Sequence, residues 1–254
     1  MLQRTLVVLA LSLLGACAAP QFQLAASYGE LTPKGDVSLV NGGGATANNS
    51  LDDLGLDSAE ATPALRADFK WGVPHLTLAT QSSSWDGNGI LSVDFGGIGT
   101  GTAVDTELEL ALHRSVLTFD LVPTDLFELG LGFGVSLIDI KGSVDESAGA
   151  LSENFDESLP VPVLAARIGG KLWKLDCELL LSGLKVDVDG NSATYLETDL
   201  NARYSIFGAP GELGGGIIAG WRQVSLQAAY DDGSDAVDLD LTFSGPYLGV
   251  QLGI

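Results

Sequence analysis

Residues Phe127 to Lys141 read FELGLGFGVSLIDIK, and this stretch decides the fold. One alternate set is Phe127, Leu129, Leu131, Phe133, Val135 and Leu137, while the other is Glu128, Gly130, Gly132, Gly134 and Ser136. A period of two is the signature of a strand with an apolar face and a polar face. The same pattern recurs in Leu196 to Phe207, with Leu196, Leu200, Tyr204 and Ile206 set against Glu197, Asp199, Asn201, Arg203 and Ser205. It recurs again from Pro63 to Trp71, where Leu65, Ala67, Phe69 and Trp71 alternate with Arg66, Asp68 and Lys70. The chain carries 33 glycines in 254 residues, which suits tight turns and closely packed strands better than helices.

Strands of ten or more residues match a tilted membrane crossing, whereas strands of a soluble sandwich are usually about five to six residues long. The connections also alternate between short and long. Short ones are Gly72 to Pro74, Val122 to Asp125, Leu172 to Lys174 and Gly208 to Gly211, and long ones span about 41–61, 86–103, 142–159, 187–194 and 230–236. The prediction is an all-β fold: a single antiparallel up-and-down transmembrane β-barrel of about ten strands, with eight as the alternative count. Short turns face the periplasm and long acidic loops face outside. Ten strands fall at about 21–40, 62–71, 75–85, 104–121, 126–141, 160–171, 175–186, 195–207, 212–229 and 237–254, with bulges expected within Val104 to Leu121 and near Gly245-Pro246. Trp71, Phe119, Phe127, Trp173 and Phe207 beside the short turns predict one interfacial girdle. The competing fold is a soluble exported β-sandwich lipoprotein.

The N-terminus begins with one basic residue, Arg4, followed by an apolar run from Thr5 to Leu14 and then small residues, the layout of a secretory signal peptide over residues 1–18. Two processing readings overlap. Ala16-Cys17-Ala18 forms an A-x-A cleavage site, and Leu14 to Cys17 resembles a lipobox in which Cys17 is acylated. The barrel domain then occupies residues 19–254. Cys177 lies in an alternating run as a small lipid-facing or packing residue.

Lys and Arg number 12 against 33 Asp and Glu, a net charge of −21, on a chain that is 46% hydrophobic. Such a charge excludes nucleic acid as a partner. The five long connections hold sixteen acids and no Lys or Arg. An acidic outer rim of that kind attracts divalent cations weakly. By parity the inward face collects Arg66, Asp68, Lys70, Glu107, Glu109, Glu128, Arg167, Lys171, Glu197, Asp199, Arg203 and Arg222, whose mixed signs predict ion pairs across a narrow lumen.

Leu51-Asp52-Asp53-Leu54-Gly55-Leu56, the Phe127 to Gly134 run, and the ending Gly245 to Ile254 resemble the small outer-membrane β-barrel proteins of Gram-negative bacteria. The resemblance spans nearly the whole mature chain. It implies an outer-membrane location, with outer-membrane lipids and lipopolysaccharide as surroundings and the barrel-assembly machinery as a partner in biogenesis. In that family the last strand closes on an aromatic residue, and here Ile254 stands in its place.

Catalytic signals are sparse, and no cofactor or metal motif is present. Omptin proteases share the strand number and use acidic and histidine residues on external loops, but neither His75 nor His113 lies in a long connection. A lipid A deacylase needs a His–Ser pair, and His113-Arg114-Ser115 offers one without a visible carboxylate partner. Parity reads His75 as a turn residue and His113 as a lumen or bulge residue. Asp187-Val188-Asp189-Gly190-Asn191 lacks the Gly and Glu spacing of a calcium loop and reads as a turn. The favoured function is a non-enzymatic structural or interaction barrel with its lumen closed by ion pairs. The alternatives are a narrow channel for small solutes or cations, and a barrel enzyme acting in lipid A modification or omptin-like proteolysis.

Overall fold

The computed structural model describes residues 20–41, 48–122, 124, 126–149, 151–188, 191–208, 212–231 and 235–254. The segment expected to be a signal peptide, residues 1–18 with Cys17, lies outside these residues. The strands are β1 (Gln21–Asn41), the two-residue β2 (Asn49–Ser50), β3 (Glu60–Lys70), β4 (Pro74–Ile90), β5 (Ala103–Asp120), β6 (Phe127–Glu146), β7 (Ser152–Leu172), β8 (Leu175–Val188), β9 (Asn191–Phe207), β10 (Gly214–Asp231) and β11 (Asp235–Gly253). Among the described residues the ten long strands form one antiparallel meander, which closes where β1 pairs with β11 from Gln23↔Gly253 to Asn41↔Asp235. Closure removes the two edges that a sandwich would leave, and the strand count is ten.

Strand ends at the short turns fall within two residues of the expectation, but those at the opposite end run farther. β4 continues to Ile90, β6 to Glu146, and β7 already begins at Ser152. Twenty residues rise about 65 Å along a strand, and even with the tilt of a barrel this far exceeds an apolar band about 25 Å tall. Much of what reads as long loop is therefore strand standing clear of the membrane.

The burial pattern locates the boundary. Below it, apolar side chains face out: Leu24, Leu65, Leu78, Leu131, Phe133, Val135, Leu200, Ile217, Leu248 and Val250 are all at least 40% exposed. Above it they face in: Leu31, Trp85, Leu108, Leu110, Ile138, Ile140, Val224, Leu226, Leu241 and Phe243 are buried in one core. The apparent phase slip within Val104 to Leu121 is this inversion. β5 alternates without interruption from Ala103 to Asp120, with even positions inward throughout. What changes is which set of positions is apolar. Near Gly245-Pro246 the β10–β11 register is likewise unbroken, and on the other side the β1–β11 ladder skips Glu30 and Leu31 opposite Pro246 and Gly245 without changing register; the β9–β10 ladder shifts register elsewhere, at Gly215/Gly216.

Two seams divide the protruding wall. The β3–β4 ladder ends at Ala64↔Gln81, just before Pro63, and the β7–β8 ladder ends at Leu164↔Gly183, just before Pro162 and Pro160. Proline has no N–H to give a ladder, so it sits where pairing stops. Above the seams β4 to β7 form one sheet and the remaining strands another, with the apolar core between them. The head is thus built like a sandwich on top of a closed barrel.

Local chemistry fits the architecture. A Cβ at Gly132 would lie 1.9 Å from the Leu117 carbonyl oxygen, so the glycine lets β5 and β6 coil together. The β7–β8 turn consists of Trp173 and Lys174, with Trp173 at φ 56° as primed hairpin turns require. Trp71, Phe119, Phe127, Trp173 and Phe207 are exposed at the short-turn end as one girdle, and Cys177 is exposed on the lipid side.

This boundary predicts a position-dependent penalty. Leu131→Arg, in the belt, destabilises the barrel by about 2–4 kcal/mol if it lies near the bilayer midplane. Glu107→Arg, on the outer wall above the belt, changes stability by no more than about 0.5 kcal/mol. Urea titrations of folding in lipid vesicles read both values, and equal penalties would refute the assigned boundary.

Candidate functional site: the lumen network and the head

Inward positions below the boundary carry a dense ionic layer. β3 supplies Arg66 and Asp68, two residues apart and hence on one face. Arg66 Nε donates to Asp68 Oδ2 at 2.7 Å, and the same guanidinium bonds Glu178 and lies 3.5 Å from Asp199 Oδ2. Arg167 is fully buried, with Nη1 donating to Glu178 Oε2 at 2.6 Å, Nη2 to Thr77 Oγ1 at 2.7 Å and Nε to Thr118 Oγ1 at 3.1 Å. Arg203 reaches Asp68 at 3.2 Å and Gln23 at 3.1 Å. A second tier forms around Asp199, which accepts from Arg222 at 3.0 Å, Arg114 at 3.3 Å and the Tyr247 hydroxyl at 2.7 Å. Arg114 also pairs with Glu197 at 2.6 Å, and Tyr195 donates to the same carboxylate at 2.7 Å.

At the periplasmic mouth Lys70 bonds Glu128 and lies 3.1 Å from Asp120. In the two upper tiers five arginines (66, 114, 167, 203, 222) face four carboxylates (68, 178, 197, 199), each of them ion-paired. Buried charges at this density persist only when paired and hydrogen-bonded on most sides.

Above the ionic layer the bore is filled with apolar side chains. Trp85 is fully buried, donates from Nε1 to the Leu31 carbonyl at 3.1 Å, and packs on Phe243 with ring centroids 5.2 Å apart. Two connections cap this core from the top, contributing Leu51, Leu54 and Leu56 from one and Leu91, Phe95 and Ile98 from the other. Asn49 fastens them together: its Oδ1 accepts from the Ser92 and Val93 amides at 2.9 and 3.1 Å. In the second cap, hydrogen bonds from the Thr100 hydroxyl and amide hold the Asp94 carboxyl below its ordinary pKa. Arg167, Asp199, Leu180, Val224 and Trp85, which lie inside the bore, all have 0% exposure.

Of the residues expected in the lumen, Arg66, Asp68, Arg167, Glu197, Asp199, Arg203 and Arg222 are buried there, and Lys70 and Glu128 lie at its mouth. Lys171 has inward parity but is exposed at the rim. Glu107 and Glu109 are corrections: both are exposed on the outer wall, because β5 keeps its phase across the boundary while its apolar residues change sides. The histidines are corrected too. His75 is buried in the lumen beside Arg167 and Asp68, and His113 is exposed outside. Arg114 and Glu178 were missed. Continuous parity through His113-Arg114-Ser115 would have found the first, and the outward Cys177 next to it would have found the second.

Among the described residues no group of three or more His, Cys, Asp or Glu is placed to hold a metal ion. Asp189 and Asp232 lie outside the described residues, so the outer acidic rim is placed only in part.

No protein-family model and no curated protein matches the chain. Among solved structures, the outer membrane protease OmpT from Escherichia coli is 12% identical, with 94% of this chain and 99% of that one covered and a TM-score of 0.60. The translocator domain of the autotransporter NalP from Neisseria meningitidis is 11% identical, covering 98% and 94% of the two chains at a TM-score of 0.43. Neisserial surface protein A is 11% identical, covering 92% and 98% at a TM-score of 0.37. Together with the apolar belt and the closed ten-strand meander, the first likeness defines the class: the chain is an outer-membrane β-barrel. At that identity the likeness extends to the fold alone.

Proposed function

We propose that this chain is a closed outer-membrane barrel with a structural or interaction role, holding a folded acidic head clear of the outer leaflet. Its lumen neither conducts nor catalyses. The observation that carries this reading is the stack of fully buried groups across the bore, ionic from Arg167 to Asp199 and apolar from Val224 to Trp85. A solute would have to break paired buried charges and then cross a packed hydrocarbon layer. Export through the 1–18 signal segment, with Cys17 as the site of any acylation, and insertion by the barrel-assembly machinery complete the proposal. The outer rim meets lipopolysaccharide and loosely held divalent cations. In planar bilayers the purified barrel is expected to be silent at neutral pH, and discrete conductance steps would overturn the closed-lumen reading in favour of a narrow channel.

A further inference from the structure

Three side chains outside the lumen network meet on the outer wall. Thr80 on β4 and His113 on β5 are register partners, with Thr80 Oγ1 2.8 Å from His113 Nδ1. Asp139 on β6 places Oδ2 3.7 Å from His113 Nε2. With the imidazole proton on Nε2, facing Asp139, Nδ1 accepts the hydroxyl hydrogen of Thr80. A hydroxyl within hydrogen-bond reach of a base, with a carboxylate at ion-pair distance from the base's other nitrogen, holds the parts of an activated nucleophile.

Its height on the wall matters as much as its geometry. Thr80 is the next outward position above Leu78, which belongs to the lipid-facing belt and is 44% exposed. Just below lies an apolar depression of about 210 Å³, lined by Leu24, Leu65, Ala67 and Leu78 with Thr80 at its edge. Just above lies a groove of about 400 Å³ of mixed lining, with Ala61, Pro63 and Ala111 beside Glu109, Asp139 and Lys141. The seam opens at the same level. β4 leaves β3 at Gln81, and the upper groove lies along that opening, between Ala61 and Pro63 on one side and Ser82 and Ser84 on the other.

We propose that this wall site hydrolyses acyl esters of outer-leaflet amphiphiles, with the acyl chain in the lower depression, the headgroup in the upper groove and the ester carbonyl at Thr80. Thr80 Oγ1 bonds to the acyl carbon while His113 Nδ1 takes the hydroxyl proton. Collapse breaks the ester C–O bond, and the leaving alcohol carries off the proton held by His113. Water, deprotonated by His113, then cleaves the acyl-threonine, releases the fatty acid and returns the proton to Thr80. Asp139 is a positioning residue that stabilises the imidazolium. The inference goes beyond the closed-lumen reading and is separable from it, since it concerns only the wall.

The test uses the full folded chain in vesicles containing either diacyl phospholipid alone or phospholipid with lipopolysaccharide, and measures released fatty acid. Wild type is expected to release fatty acid, and the vesicle composition tells which lipid supplies it. His113→Gln and Thr80→Val each lower turnover by about 10²–10⁴-fold, while Thr80→Ser retains measurable turnover. Asp139→Asn lowers kcat and moves the acid limb of its pH profile while leaving KM in place. A fluorophosphonate ester labels the peptide carrying Thr80 in wild type and not in His113→Gln. Folding of each variant is read from its gel mobility before and after boiling. No release from either vesicle by folded wild type overturns the proposal, as does turnover unchanged in His113→Gln. Conductance is expected to stay absent in every variant, so failure here and failure of the closed-lumen reading are told apart.

Discussion

Glu178→Ala is expected to destabilise the barrel by about 3–5 kcal/mol, because it leaves buried cations without their counter-charge. The carboxylate bonds Arg66 and Arg167, and Arg203 lies 3.4 Å away. After truncation Arg66 and Arg203 share Asp68, and Arg167 keeps only Thr77, Thr118 and His75 as partners among the described residues. Glu178→Gln retains the shape and one acceptor oxygen but no charge, so its loss falls between wild type and alanine. Glu109→Ala, of the same charge type but exposed on the outer wall, stays within about 0.5 kcal/mol. Urea-induced unfolding in detergent micelles, followed by gel mobility, gives all three values on one scale. A Glu178→Ala loss no larger than that of Glu109→Ala would mean that the lumen is hydrated and the network is worth little. On the closed-lumen proposal the apolar core above the lesion is untouched, so the variant is expected to stay silent in planar bilayers.

The network also shows where sequence reasoning reaches and where it stops. Alternation is a local property, so Phe127 to Ser136 reveals a two-faced strand directly, and the short turns count the strands. Period two does not say which face is inside. Below the boundary lipid takes the apolar face, and above it the head core does. In β5, Leu117 and Phe119 therefore face out while Leu108, Leu110 and Leu112 face in, on one unbroken strand. Read locally, that change resembles a bulge, and the parity assigned to Glu107 and Glu109 inverts with it. The lower part of the site was legible because its charges interrupt runs that are otherwise apolar outward, as Arg66 and Asp68 do on β3. Glu178 was hidden by its neighbours: Leu179, Leu180 and Leu181 put the same residue type on both faces, which erases the phase. The seams were written in the prolines. Pro63, Pro160 and Pro162 mark where ladders end, but a proline alone does not say on which side of a strand its neighbour is lost.

Trp85→Ala tests whether the head is held by its core. Above Gln81 and Gly183 the wall lacks ladder bonds across both seams, so the two sheets are joined there mainly by apolar side chains. Trp85 is central to that layer, reaching from β4 to Phe243 on β11 and to the Leu31 carbonyl on β1. Truncation leaves a cavity the size of an indole and an unpaired carbonyl, for an expected loss of about 3–5 kcal/mol. Trp85→Phe fills most of the volume and loses mainly the hydrogen bond, costing about 1–3 kcal/mol. The loss should be local. Amide hydrogen exchange is expected to rise in β4 beyond Gln81 and in the caps at 51–56 and 91–98, which depend on the core. In contrast, the belt segments of β5 and β6, fully laddered and lipid-supported, keep their protection. Exchange that rises equally in both regions would show that head and barrel unfold as one unit, and that the seams do not divide the molecule energetically.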